Sequence, residues 1–178
     1  IYENGTLEVT EKEVTITADD SSKVYDGTAL TNNGYTSEGL AEGDRIASVT
    51  VAGSQTVVGS SANVPSAAVI VNAAGDTVTA SYTIIYENGT LEVTEKEVTI
   101  TAASDEKVYD GTPLTNDTYT STDLADGDSY ASVTVEGSIT EVGTVDNVPS
   151  AAVIVNAANE DVTASYAITY AKSGRASC

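Results

Sequence analysis

A unit of 84 residues occurs twice in this sequence, and this repeat limits what the chain can fold into. Lys23-Val-Tyr-Asp-Gly-Thr28 returns as residues 107–112, 84 positions later. The same offset relates residues 63–72 to 147–156, and no residue is inserted or lost between the two anchors. Stacked solenoid repeats have periods of roughly 20–50 residues, so the longer period predicts a series of separate domains.

The residues available for a core predict β structure. Phe, Trp and Met are absent, so a core must be built from Val, Ile, Leu, Ala and Tyr. Many of these residue types favour pleated, half-buried surfaces. Residues 14–18 alternate apolar and polar side chains, residues 77–86 continue such a pattern over a longer run, and Asn88-Gly89 is typical of a two-residue hairpin turn. About seven short strands per unit, with turn residues between them, predict an all-β fold of two tandem Ig-like β-sandwich modules.

The phase of the repeat also predicts domain boundaries. Two short junctions, Glu11-Lys-Glu13 and Glu95-Lys-Glu97, contain neither Gly nor Pro, so we expect the modules to lie end to end as a stiff, elongated rod. The expected divisions are residues 1–13 as the closing strand of a preceding repeat or a donated strand, 14–97 as repeat 1, 98–170 as repeat 2 without its own closing strand, and 171–178 as a non-repeat tail introduced by cloning. An unpaired strand and an open sheet edge in one chain predict head-to-tail strand donation between chains.

The charge and the inventory of reactive side chains exclude several classes of function. The net charge of −20 disfavours binding to nucleic acids and to anionic membranes, both of which require clustered Lys and Arg. No run is long and apolar enough to cross a bilayer as a helix. The chain has no His, and its one Cys is residue 178, so catalysis by His or Cys and a zinc site are not expected. The sequence therefore predicts a protein that is not an enzyme.

Four segments together resemble the MBG/YDG-type repeats of bacterial surface proteins. These segments are Val14-Thr-Ile-Thr-Ala18, Lys23-Val-Tyr-Asp-Gly-Thr28, Tyr82-Thr-Ile, and Tyr86-Glu-Asn-Gly-Thr-Leu-Glu-Val-Thr94. The resemblance covers essentially residues 1–170. It implies an extracellular location on the bacterial cell surface or wall, tandem modules of an adhesin, and no catalytic residues.

Three kinds of site are compatible with the residues. Asp123, Asp126 and Asp128 surround a Gly turn and could hold calcium, the only cofactor we consider, although solvated acidic loops are the simpler interpretation. Lys23 and Lys107 could form crosslinks to an Asn such as Asn72, Asn88 or Asn156, or could be ordinary surface lysines. Tyr25 and Tyr109 could stack on a glycan, or could bury their rings and hydrogen-bond their hydroxyl groups.

The sequence favours a structural role over a binding role. We expect a stalk or spacer that projects a binding region from the cell, with neighbouring repeats as its main partners. The alternatives are weak multivalent binding of host glycan or mucin, and a subunit of a head-to-tail filament.

Overall fold

The first repeat forms seven strands in a nearly all-β structure, seen in a computed structural model that describes residues 4–171. The strands are β1 (Lys12–Ala18), β2 (Ser21–Val24), β3 (Tyr35–Glu38), β4 (Arg45–Ala52), β5 (Gly59–Val71), β6 (Tyr82–Glu87) and β7 (Gly89–Thr94). They form two sheets, of strand order β3-β1-β6 and β2-β7-β5-β4. The all-β prediction is confirmed. No helix within residues 4–171 is long and apolar enough to cross a membrane.

Strand β1 follows the alternation that its sequence predicts. Val14, Ile16 and Ala18 are buried, whereas Thr15 and Thr17 are only partly covered. Val14 packs in one cluster with Ile70 of β5 and Tyr82 of β6, so side chains from both sheets share a core. Fully burying a Val or Ile side chain contributes roughly 1.5–3 kcal/mol, which makes this cluster a main source of stability.

The prediction of a hairpin at Asn88-Gly89 is wrong. Strand β6 pairs with β1, in parallel, with Val14 opposite Ile84, whereas β7 lies between β2 and β5 in the other sheet. Asn88 is thus the point where the chain crosses from one sheet to the other. Gly89 is required there for space and not for a turn, because a Cβ atom on it would lie 2.5 Å from the carbonyl oxygens of both Ala18 and Asp19.

The long alternating run at residues 77–86 is not one strand. A 3-10 turn at Thr79–Ser81 precedes β6, which begins at Tyr82. In this turn the Ser81 backbone N–H donates to the Val78 carbonyl at 2.9 Å. The Thr79 hydroxyl oxygen also accepts a hydrogen bond from the Ile70 backbone N–H at 2.9 Å. This tertiary contact overrides the local strand pattern.

The second repeat forms five strands within the described residues. They are β8 (Lys96–Ala102), β9 (Tyr119–Ser121), β10 (Ser129–Glu136), β11 (Val148–Val155) and β12 (Tyr166–Ala171). One sheet has the order β12-β8-β9, and the other contains β10 and β11. The parallel pairing of β8 with β12 reproduces that of β1 with β6, with Val98 opposite Ile168.

The chain divides into two compact units that do not coincide with the sequence repeats. One unit contains the described residues up to Lys23, Ala29–Gln55 and Gly59–Glu92. The other contains Val24–Thr28, Thr56–Val58 and the described residues from Val93 onward. Two short segments of the first sequence repeat therefore belong to the second unit. The predicted boundaries at 14, 98 and 170 stay a prediction, and residues 172–178 of the tail lie outside the described part.

Candidate functional site

A tyrosine and an aspartate form a hydrogen-bonded pair in each unit. In the first unit, the hydroxyl group of the buried Tyr82 donates to the Asp44 carboxylate at 2.6 Å and accepts from the Ala41 backbone N–H at 2.9 Å. Tyr82 opens strand β6, and Ala41 and Asp44 lie in the turn before β4. The Asp44 backbone N–H closes this turn on the Ala41 carbonyl at 3.1 Å. The pair therefore fixes the turn to the core.

The corresponding pair in the second unit has an additional tyrosine. The Tyr166 hydroxyl donates to the Asp128 carboxylate at 2.6 Å and accepts from the Ala125 backbone N–H at 2.9 Å. Tyr25, from the segment Val24–Thr28, donates its hydroxyl to the same carboxylate oxygen at 3.1 Å. Its ring meets the Tyr166 ring edge to face, with centroids 5.4 Å apart and planes at 77°. We call Tyr25, Tyr166 and Asp128 the tyrosine cluster.

The backbone around Tyr25 holds its ring in this cluster. Its N–H donates to the Thr94 carbonyl at 2.8 Å. The Asp26 carboxylate accepts from the Thr28 N–H at 2.9 Å, which is the turn that Asp-Gly predicts. Gly27 has φ +79°, in the left-handed region that glycine adopts without strain. A Cβ atom added at this position would lie 3.4 Å from the Asp126 carbonyl oxygen.

The electrostatics of the cluster keep its hydroxyl groups protonated. Burial and the hydrogen bond to Asp128 raise the pKa of Tyr25 to about 12. Burial, followed by the same carboxylate, also raises the pKa of Tyr166. In the first unit the hydrogen bond to Asp44 is the main cause that raises the pKa of Tyr82. These tyrosines act as hydrogen-bond donors at neutral pH, and the arrangement stabilises structure.

Tyr109, the counterpart of Tyr25 in the second repeat, is in a different environment. Its side chain is 57% exposed, whereas Tyr25 is 2% exposed. A glycan could reach the ring of Tyr109, but the ring of Tyr25 is covered. Identical hexapeptides thus give two environments, which no sequence signal could reveal.

Lys107 organises the turn that follows Tyr109. Its ammonium group contacts the Asp110 carboxylate at 2.8 Å and the Thr112 hydroxyl at 2.6 Å. The Lys107 ammonium and the Thr112 hydrogen bonds hold the pKa of Asp110 well below its usual value.

Two of the three candidate asparagines for a crosslink hydrogen-bond within their own loops. The Asn72 side-chain oxygen accepts from the Asp76 N–H at 2.9 Å, and Asn156 makes the same contact with Glu160 at 3.0 Å. Both side chains stabilise their own loops. Lys23 lies in β2, and Asn88 lies at the sheet crossing. The crosslink stays a prediction.

The three aspartates proposed for calcium do not converge. Within residues 4–171, no group of three or more acidic, His or Cys side chains is arranged to hold a metal ion. The Asp128 carboxylate accepts hydrogen bonds from two tyrosine hydroxyl groups, while Asp123 and Asp126 are exposed in the turn.

An asparagine in each repeat was missed by the sequence reasoning, namely the buried Asn63 and its half-buried counterpart Asn147. The Asn63 side-chain amide donates to the Asp19 carbonyl at 3.0 Å and to the Asn32 carbonyl at 2.9 Å. Asn147 donates in the same way to Ala103 and Asn116, at 3.0 and 2.7 Å. The signal was present in the repeat itself, because both residues open the segment Asn-Val-Pro-Ser-Ala-Ala, which recurs unchanged 84 positions later.

Comparison with known proteins gives one family. Residues 14–92 match the family described as "MBG domain (YGX type)". No curated protein and no solved structure matches the chain. The matched range begins at the first buried residue of β1 and ends within β7, so it includes both sheets of the first repeat.

Proposed function

We propose, from the premise that residues 14–92 are an MBG domain of the YGX type, that this chain is a structural spacer of a bacterial surface protein. Its two repeats would be Ig-like sandwich modules arranged end to end outside the cell, and they would hold another region of the protein away from the surface. The sequence repeat itself supports this proposal, since a second copy of the same module adds reach without adding a second chemistry.

The observation that carries the proposal is the buried position of Tyr25 in the second unit. A residue of the first sequence repeat completes the core of that unit, with 2% of its side chain exposed. Tyr25 lies in the first sequence repeat, and it contacts Tyr166 and Asp128, which lie in the second. A repeat built in this way is suited to act in series, because each copy would complete the next.

Small-angle X-ray scattering tests the spacer. A single compact domain of this length has an expected radius of gyration of about 16 Å. Two modules end to end should exceed about 20 Å, because their centres are separated by a module length. The measurement should be made in dilute solution. A value near that of the compact domain would refute the spacer.

Glycan binding is a second candidate, favoured by the exposure of Tyr109. Its ring is available for stacking on a sugar, and weak binding per module could gain from repetition. A glycan array with the whole chain tests this. Saturable binding that disappears in Tyr109→Ala but persists in Tyr25→Phe would support glycan binding, whereas no saturable signal would exclude it for the sugars on the array.

A further inference from the structure

A groove in the second unit lies where strand β7 lies in the first repeat. Its cavity has a volume of about 720 Å³. Residues 103–107 and 139–147 are among those that line it. Shifted back by 84 positions, these ranges become 19–23 and 55–63. They include most of β2 and the beginning of β5, the two strands between which β7 lies.

Part of the groove lining has no strand where the first repeat has one. Residues 143–147 are outside any strand, although their counterparts 59–63 open β5. Large apolar side chains of the lining are exposed in or next to this segment, with Val142 90% and Val145 55% accessible to solvent. The groove thus combines exposed apolar side chains with a segment whose counterpart is a strand in the first repeat, and an added strand can pair with such a segment.

The chain contains a second copy of the strand that fills this position. Gly-Thr-Leu-Glu-Val-Thr occurs at residues 5–10 and again at Gly89–Thr94, which is β7. In β7, Leu91 and Val93 are 0% and 1% exposed. Their counterparts Leu7 and Val9 are 103% and 99% exposed and lie outside any strand.

We propose that the groove of one copy of the chain binds residues 5–10 of a second copy as a β-strand. Leu7 and Val9 would be buried in the groove as Leu91 and Val93 of β7 are buried in the structure. The occupant is a second copy because the chain carries, fully exposed, the same six residues that occupy the corresponding position in its own first repeat.

Insertion of this strand between two copies would also bury Tyr109. In the structure the Tyr25 backbone donates to Thr94 of β7, and its ring packs on Tyr166 and Asp128. With residues 5–10 of the second copy in the groove, the backbone of Tyr109 would contact the inserted strand in the same way. Its ring would pack on Tyr82 and Asp44 of the second copy. That surface is suited to it, because Ala41 is only partly buried, whereas its counterpart under Tyr25, Ala125, is 6% exposed.

The association should strengthen with salt. Glu8 of the donated strand would enter a groove whose lining includes four acidic residues, namely Asp105, Glu106, Glu141 and Asp146. Each chain also carries a net charge of −20. Repulsion between exposed charges is screened at about 0.5 M salt, where the Debye length is only about 4–5 Å. The proposed association does not depend on the spacer function, and the experiments that test the association do not test the spacer function.

Gly5 provides a specific variant for the test. Nothing lies within 4 Å of a Cβ atom added to Gly5, so Gly5→Ala leaves the isolated chain unstrained. In the groove Gly5 would take the position of Gly89, where a Cβ atom would lie 2.5 Å from two carbonyl oxygens. Alanine should therefore block insertion without affecting the fold. Glu8→Gln is the matched control, since it removes one negative charge and leaves the strand intact.

Sedimentation velocity of the whole chain, over a range of concentrations and salt, measures the association. We expect concentration-dependent linear oligomers that grow with salt, are lost in Gly5→Ala and are retained in Glu8→Gln. A fluorescent synthetic peptide of residues 4–11 should also bind the Gly5→Ala chain, and the same peptide with Ala in place of Gly5 should not. A monomeric wild-type chain, oligomers that survive in Gly5→Ala, or a peptide that does not bind would each overturn the proposal.

Discussion

Replacing Tyr25 and Tyr109 separately by alanine tests the assignment of residues 24–28 to the second unit. The two residues occupy the same position in identical hexapeptides, so local propensity is matched. Their environments differ, because Tyr25 is 2% exposed and Tyr109 is 57% exposed. Any difference between the two variants therefore reports tertiary contacts.

The contacts of Tyr25 give the magnitude. Truncating a buried aromatic side chain to alanine costs about 3–5 kcal/mol. Within that total, the edge-to-face contact with Tyr166 contributes about 0.5–1.5 kcal/mol. Tyr25→Phe removes only the hydroxyl group, and it should cost about 1–2 kcal/mol because the Asp128 carboxylate keeps its hydrogen bond from Tyr166. Tyr109→Ala should stay within about 0.5 kcal/mol, as is usual for surface substitutions.

Thermal unfolding in dilute solution, followed by circular dichroism, measures the difference. For a domain of 60–100 residues, a loss of 3 kcal/mol lowers the unfolding temperature by at least about 10 °C. Hydrogen–deuterium exchange then identifies the unit that loosens, and we expect faster exchange in β8 and β12 of the Tyr25→Ala chain. Equal shifts for the two alanine variants, or an unchanged Tyr25→Ala chain, would refute the reasoning.

Three further predictions use other contacts. Asn63→Ala removes the donors to two carbonyl groups and should cost about 1–3 kcal/mol for each carbonyl left unpaired, measured by urea unfolding; a loss below 0.5 kcal/mol would contradict the buried network. Gly89→Ala should lower the unfolding temperature, because its Cβ atom would lie 2.5 Å from two carbonyl oxygens, whereas Gly5→Ala should not; equal stability would show that the β7 backbone can shift. Folding raises the pKa of Tyr25 from 10.0 to about 12, so the stability this shift contributes is present below pH 10 and is lost as the pH rises through 12. The free energy of unfolding should therefore fall more steeply between about pH 10 and about pH 12 in the wild type than in Tyr25→Phe, and parallel curves would exclude the contribution of this hydroxyl group.

Local patterns in the sequence determined the strand type and several turns. The alternation at residues 14–18 predicted a strand with Val14 and Ile16 buried. Successive side chains of a strand point to opposite faces, so alternating apolar residues all lie on the face that is buried. Asp26-Gly27 forms a turn, because the Asp26 carboxylate accepts from the Thr28 N–H and Gly27 adopts a positive φ. Both effects act within four residues of the chain. The offset of 84 residues placed β8 to β12 on the counterparts of β1, β3, β4, β5 and β6, whereas the counterpart of β2 forms no strand.

Tertiary structure decided which strands pair and which tyrosine is buried. Asn88-Gly89 has the sequence of a hairpin turn, but β6 gains a parallel partner in β1 and β7 fits between β2 and β5, so the chain crosses between sheets. Tyr25 and Tyr109 occur in identical hexapeptides, and the contacts of Tyr25 with Tyr166, Asp128 and Thr94 give it a different environment. The physical reason is that burial and sheet pairing depend on residues distant in the chain, whereas turn and strand propensities depend on the nearest few.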